Sequence, residues 1–237
     1  MTDPTPEEIL LQGEVTLQGQ FTLGSNYTFL VQAQLGQSVL QAVYKPQKGE
    51  QPLWDFPEAT LANREVAAYR LSALLGLGLV PLTVFRQNGP YGAGSYQLFI
   101  PYDPNYHFFS LHDEDLPRLI PVAFFDLLCN NADRKGSHIL FSSQDHTLYA
   151  IDHGLCFHAE PKLRTVIWTF AGEPIPAELL APLQALAADP QALHAELAPL
   201  LSEEEIEALM TRAHALLREP TFPHPPQDKR AYPFPPL

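Results

Sequence analysis

The sequence predicts an α+β fold in two lobes, a small antiparallel sheet carrying one helix and then a mainly helical part. Three observations carry this reading. Through most of the first hundred residues apolar and polar side chains alternate at period two, with one stretch near residues 60–76 at helical spacing instead. Asp103-Pro104-Asn105 then breaks the pattern. Beyond it, long segments with leucine and alanine at helical spacing are interrupted by a single hairpin at 138–151. The expected boundaries are 1–102 for the first lobe, 103–218 for the second and 219–237 for a proline-rich tail.

Composition sets limits on function. The 237 residues are enough for a substantial core, and 46% of them are hydrophobic. Lys and Arg number 14 against 27 Asp and Glu, a net charge of -13, which disfavours unaided binding to nucleic acid or to an anionic membrane surface. Cys129 and Cys156 form neither a metal-binding spacing nor a disulfide framework, which suits a reducing, cytoplasmic setting. The amino terminus has no basic stretch followed by an apolar one, and no apolar run approaches the roughly 20 residues of a membrane span. The 24 prolines, about twice the usual share, mark many loops.

In order, residues 5–11 read as an acidic turn or short helix. Val15, Leu17, Gly19, Phe21 and Leu23 alternate with polar residues and predict a strand over 14–23, interrupted by Gly24-Ser25-Asn26 and resumed at 27–33. A third strand covers 39–44 and closes on Lys45-Pro46. A tight turn lets backbone N–H groups approach phosphates where bulky side chains cannot, and a lysine on the next strand offers a point charge to their oxygens. A long loop with Trp54 and Phe56 comes next. Thr60 is the expected cap of a helix bearing Glu65 in its second turn, with Gly76 as its stop. Two more strands, 79–86 and 95–102, complete the sheet, and main-chain groups around Ile100 and Tyr102 are candidates to read an adenine edge.

In the second part, Asp115-Leu116-Pro117 opens a helix that is apolar nearly all round and therefore buried. It delivers the chain to Asn130-Asn131-Ala132-Asp133. A strand over 138–141, a turn over 142–146 and a second strand over 147–151 form the hairpin, whose ends lie together. Asp133, His138 and Asp152 can therefore reach one point. Helices are expected at 176–188, 190–201 and 202–218, the last opened by a Ser202/Glu205 capping box. The tail has seven prolines in nineteen residues and is expected to pack along the body in extended form.

The motifs Tyr44-Lys45-Pro46, NREVAAYRLSALLGLGLVP from Asn63, NNADRKGSHIL from Asn130 and AIDHGLCF from Ala150 together resemble the phosphatidylinositol 3-/4-kinase superfamily. The likeness is to its type II phosphatidylinositol 4-kinase branch and bacterial relatives, and HipA-type kinases share the core. It spans about 24–170, with an echo in KLRTVIWTFA from Lys162. The resemblance implies a two-lobed protein-kinase-like fold and transfer of the γ-phosphate of ATP, with Mg2+ or Mn2+, to a hydroxyl. Carried over by position, it implies that Ser25 and Asn26 cover the phosphates and that Lys45, oriented by Glu65, contacts them. It makes Asp133 the base, places Lys135 near the transferred phosphate and gives Asp152 the metal.

One departure is chemical. The family carries Asn five residues past the catalytic Asp, and this chain has His138, whose imidazole suits Mn2+ or Zn2+ better than Mg2+. Two alternatives stay open on that account. One is a nucleotide-binding protein with impaired catalysis. The other is a Zn2+- or Mn2+-dependent hydrolase using Asp133, His138 and Asp152 with His153 or His158. With no basic helix and no cysteine cluster for acylation, the expected acceptor is a protein hydroxyl or a small soluble alcohol, with no stable membrane association.

Overall fold

In the computed structural model, which describes residues 3–21 and 26–237, the sheet comes first. Helix α1 (Pro6–Gln12) precedes strands β1 (Glu14–Phe21), β2 (Thr28–Leu35) and β3 (Ser38–Pro46). Helix α2 (Leu61–Leu74) separates these from β4 (Thr83–Arg86) and β5 (Gly94–Leu98). All pairings are antiparallel in the order β1-β2-β3-β5-β4, so β5 rather than β4 lies beside β3. The buried face is built by alternation: Phe29, Val31 and Ala33 of β2 point inward with Ala42 and Tyr44 of β3, and α1 adds Ile9 and Leu10.

Three sequence expectations shift here. The alternation in β1 buries little: Leu17 and Phe21 stay exposed on an edge strand broken by a register shift between Leu17 and Gly19. The strands expected over 79–86 and 95–102 shorten to β4 and β5, and residues 99–103 connect the sheet to the helical part. Thr60 does not cap α2. Its hydroxyl donates to the Pro57 carbonyl, and the Glu50 carboxylate accepts from the N–H groups of Leu61 and Ala62 at 3.1 and 2.9 Å. A carboxylate there also complements the positive end of the helix dipole.

The larger core is helical. A 3₁₀ segment (Asp113–Leu119) takes the place of the expected helix start, and α3 (Ile120–Cys129) begins at the next residue, with Pro121 in its first turn where a missing N–H costs nothing. Val122, Phe124, Phe125 and Leu128 are fully buried, each worth roughly 1.5–3 kcal/mol. They seat the 130–135 loop on a rigid base. The hairpin is β6 (Ile139–Phe141) with β7 (Leu148–Ala150), paired Ile139 to Ala150. Helices α4 (Ala177–Ala188), α5 (Pro190–Leu197) and α6 (Glu203–Arg218) close the core, and α6 opens with the expected capping box, Ser202 with Glu205. No helix of the described residues is long and apolar enough to cross a membrane.

Candidate functional site

Strand β3 buries Tyr44 in the sheet core and turns the next side chain, Lys45, to the opposite face, where α2 presents Glu65. The Lys45 ammonium is bonded to Glu65 Oε1 and, at 2.8 Å, to Asp152 Oδ1. Glu65 Oε2 accepts the His153 main-chain N–H at 3.0 Å, so one carboxylate ties the sheet lysine to the turn after β7. Burial works against the charge on Lys45, but Asp152 and Glu65 outweigh it and hold its pKa above the ordinary value. Burial pushes Glu65 up while Lys45 pulls it down, and the net shift is upward. The Glu65 side chain is 3% exposed and that of Asp152 45%, which leaves Asp152 as the carboxylate open to a ligand.

Both ends of the hairpin are held by one buried cation. Arg134 sits against Asp126 of α3, with Nε and Nη2 donating to its carboxylate at 3.0 to 3.1 Å. Its Nη1 donates to the carbonyls of His138 and Ile151 at 3.1 and 2.7 Å. Nη2 also donates to His153 Nε2 at 2.8 Å. The guanidinium thus joins the residues before β6 to those after β7 in a planar fork a lysine could not reproduce. Asp152 itself adopts a left-handed backbone, φ 61°, which Asp tolerates better than most residues. Gly154 lies beside Leu61, where a Cβ would make ordinary contact at 3.4 Å.

His138 and Asp152 meet at 3.0 Å, Nε2 to Oδ2. His138 Nδ1 lies 3.1 Å from the Asp133 carbonyl oxygen, which can only accept, so Nδ1 carries the proton. Burial outweighs the pull of Asp152 and pushes the imidazole down to about 4, leaving Nε2 a bare lone pair aimed at a carboxylate. A neutral Nε2 and the Asp152 carboxylate both offer lone pairs and can share a cation. Adjacent ligands of an octahedral ion at about 2.0–2.2 Å are themselves roughly 3 Å apart, so the pair fits a divalent metal. Among the described residues no group of three or more His, Cys, Asp or Glu could hold one, so ligands other than these side chains must complete any coordination.

Asp133 is set by the chain behind it. Asn131 accepts the Asp133 N–H at 2.9 Å and donates to Asp126 at 3.0 Å, while Lys135 stands 3.3 Å from Asp133 Oδ2. Burial raises the Asp133 carboxyl to about 6, with Lys135 pulling it back and Asp152 adding to the rise. A carboxylate so placed is a stronger base than a solvated one. The segment echoed at Lys162 pairs with this loop: Arg134 N–H donates to Arg164 C=O and Val166 N–H to Arg134 C=O.

The remaining candidates fall out differently. Ser25 lies outside the described residues. Asn26 turns its Oδ1 to the Gln51 N–H at 2.8 Å. Tyr102 faces Ser142 in an isolated bridge whose bond runs from Ser143 N–H to the Pro101 carbonyl, leaving the main-chain groups of Ile100 and Tyr102 without backbone partners among the described residues. The metal-hydrolase alternative loses its extra imidazoles. His153 Nε2 is taken by Arg134 and its Nδ1 is buried without a partner. The two ring nitrogens of His158 are taken by the Asp55 carbonyl and the Glu160 N–H. Sequence reasoning missed Arg134 and Asp126, although an aspartate inside the apolar run IPVAFFDLLC was a signal.

No model of a known protein family matches the sequence. Protein Rv2133c of Mycobacterium tuberculosis is 41% identical, aligned over 96% of this chain and 94% of its own length. Solved structures share the fold, two of them kinase-like examples. The Helicobacter pylori proinflammatory kinase CtkA gives a TM-score of 0.54 at 12% identity, covering 90% of this chain and 94% of that one. Hydra Fam20, solved with sugar, gives 0.56 at 15% identity, covering 92% and 89%. The architecture is therefore kinase-like, an antiparallel five-stranded sheet joined to a helical core.

Proposed function

The chain belongs to the family of protein Rv2133c, and we propose that it is an ATP-dependent phosphotransferase of the phosphatidylinositol 3-/4-kinase-like group, acting on a hydroxyl of a protein or small soluble molecule. The observation that carries this is the single ammonium of Lys45 bonded at once to Glu65 from α2 and Asp152 after β7. A lysine oriented by one carboxylate beside a second that can hold a metal is the arrangement by which protein kinases engage the phosphates of ATP. In this reading residues 1–102 form the nucleotide lobe, 103–218 the catalytic lobe, and the main-chain groups of Ile100 and Tyr102 read the adenine edge.

Lys45 binds phosphate oxygens, with Ser25 and Asn26 over them, and Asp152 with His138 would hold Mg2+ or Mn2+. That ion would supply neutralisation of phosphate charge. Asp133 takes the proton of the acceptor hydroxyl as that oxygen bonds to the γ-phosphorus and the bond from the γ-phosphorus to the β,γ-bridging oxygen breaks, leaving ADP. Lys135 steadies the charge on the moving phosphoryl group, on the strength of its contact with Asp133. A reducing cytoplasm suits the free Cys129 and Cys156.

His138 in the place of the usual asparagine favours a second reading, nucleotide binding with impaired transfer. ADP release from ATP with Mg2+ or Mn2+, measured for the wild type and for Asp133→Asn, tests both. Release that needs Asp133 supports the phosphotransferase. Metal-dependent ATP binding without release supports the second reading, and no nucleotide response at all defeats both.

A further inference from the structure

The carboxy-terminal segment ends on the loop that carries Asp133. The Gly136 N–H, one residue past Lys135, donates to the Pro236 carbonyl at 2.8 Å. Upstream, the Ala231 carbonyl accepts from both the Thr165 N–H at 3.1 Å and the Trp168 indole at 3.2 Å. Thr165 in turn sits in a parallel bridge with Arg134. At Ala231 the tail thus lies outside the Thr165 segment, which itself pairs with the Asp133 loop, and at Pro236 it meets that loop directly. Its side chains alternate as in an added strand: Ala231 and Pro233 are buried, while Tyr232 and Phe234 are 51% and 79% exposed.

Two properties of this contact matter. It is made by N–H donors to main-chain carbonyls, which recognise an extended polypeptide whatever its sequence. Its end point is the loop expected to receive an acceptor. The tail's large side chains point to solvent, so the seat holds the chain by its backbone and two small residues, and exchange costs little buried aromatic area.

We infer that this surface, formed by the Gly136 and Thr165 N–H groups and the Trp168 indole, is the seat of an extended polypeptide acceptor, and that residues 229–237 occupy it in cis. The inference rests on the phosphotransferase reading and narrows its acceptor to protein. A polypeptide then reaches Asp133 only when the tail leaves, and a tethered tail competes at an effective concentration of about millimolar.

The test uses the full chain carrying Ala231→Glu and Pro233→Asp, which put carboxylates where only small side chains fit, with Tyr232→Ala at an exposed position as the control. The probe is a fluorescein-labelled peptide of residues 229–237, followed by anisotropy. The peptide is expected to bind the double variant at least about tenfold more tightly than the wild type or the control, because the tethered competitor has been removed. Equal binding to all three, or binding to none, overturns the seat. In parallel, kcat/KM for a mixed Ser/Thr/Tyr peptide acceptor is expected to rise about tenfold in the double variant with KM for ATP unchanged. Peptide exchange with unaltered acceptor kinetics overturns the acceptor assignment while the phosphotransferase reading stands. ATP turnover by neither protein overturns that reading and the acceptor assignment together, and the anisotropy result separates the two failures.

Discussion

The imidazole of His138 and the carboxylate of Asp152 face each other at 3.0 Å with the proton of His138 committed to the Asp133 carbonyl on the other side. The residue that departs from the pattern of the kinases the sequence resembles is thus turned toward Asp152 rather than away from it, and its second nitrogen is the proposed metal ligand.

On the proposed metal role, that pairing sets metal preference. Replacing the imidazole by the amide oxygen of His138→Asn hardens the ligand, so the ratio of Mn2+-supported to Mg2+-supported ADP release should fall by roughly tenfold. Steady-state turnover at matched free metal concentrations measures it. An unchanged ratio would mean that His138 does not touch the ion.

The Arg134 fork should matter for stability as much as for the site. Arg134 and Asp126 are both fully buried, so Arg134→Met leaves an unpaired buried carboxylate, and about 3–5 kcal/mol should be lost. For a chain of this size that lowers Tm by roughly 6–20 °C. Calorimetry checks it. Arg134→Met with a wild-type Tm would show that the hairpin ends are held by other contacts.

How much of this was legible in the sequence depends on how local each cause was. Lys45, Glu65 and the hairpin could be found because a strand end, a helical turn and a turn-flanked pair of apolar runs are written in adjacent residues. The cap of α2 could not: Thr60 has the right chemistry, but Glu50, eleven residues before Leu61, gets there through tertiary folding. The start of α3 was misplaced because Pro117 and Pro121 both satisfy the first-turn rule, and the 3₁₀ segment takes the earlier one. In β1, alternation matched a strand yet gave no buried face, since α1 packs chiefly on β2, β3 and β4 and leaves this strand uncovered. Arg134 escaped notice because Asp126 and His153 reach it from 8 positions before and 19 after, and its other partners are carbonyls of His138 and Ile151, which any sequence supplies.

Acid should find one weak point outside the site. Asp115 is bonded to Tyr106, Arg118 and His146; burial opposes its charge, but these partners outweigh it and draw its carboxyl down to about 2, from 3.8 when unpaired. A folded-state pKa below the unfolded one stabilises above pH 3.8, and the contribution is lost as pH falls toward 2. Asp115→Asn should therefore lower the urea midpoint at pH 7 and converge on the wild type near pH 2, as equilibrium unfolding at several pH values will reveal. A constant difference across that range would place the effect in packing instead.

The most direct test of the phosphate-binding claim is calorimetric titration of a non-hydrolysable ATP analogue with Mn2+ into the wild type and into Lys45→Met. One saturable, metal-dependent site is expected in the wild type, with at least tenfold weaker binding in Lys45→Met, equivalent to about 1.4 kcal/mol or more. Absence of binding to the wild type, or equal affinity in both proteins, would contradict the claim that Lys45 and Asp152 converge on a triphosphate.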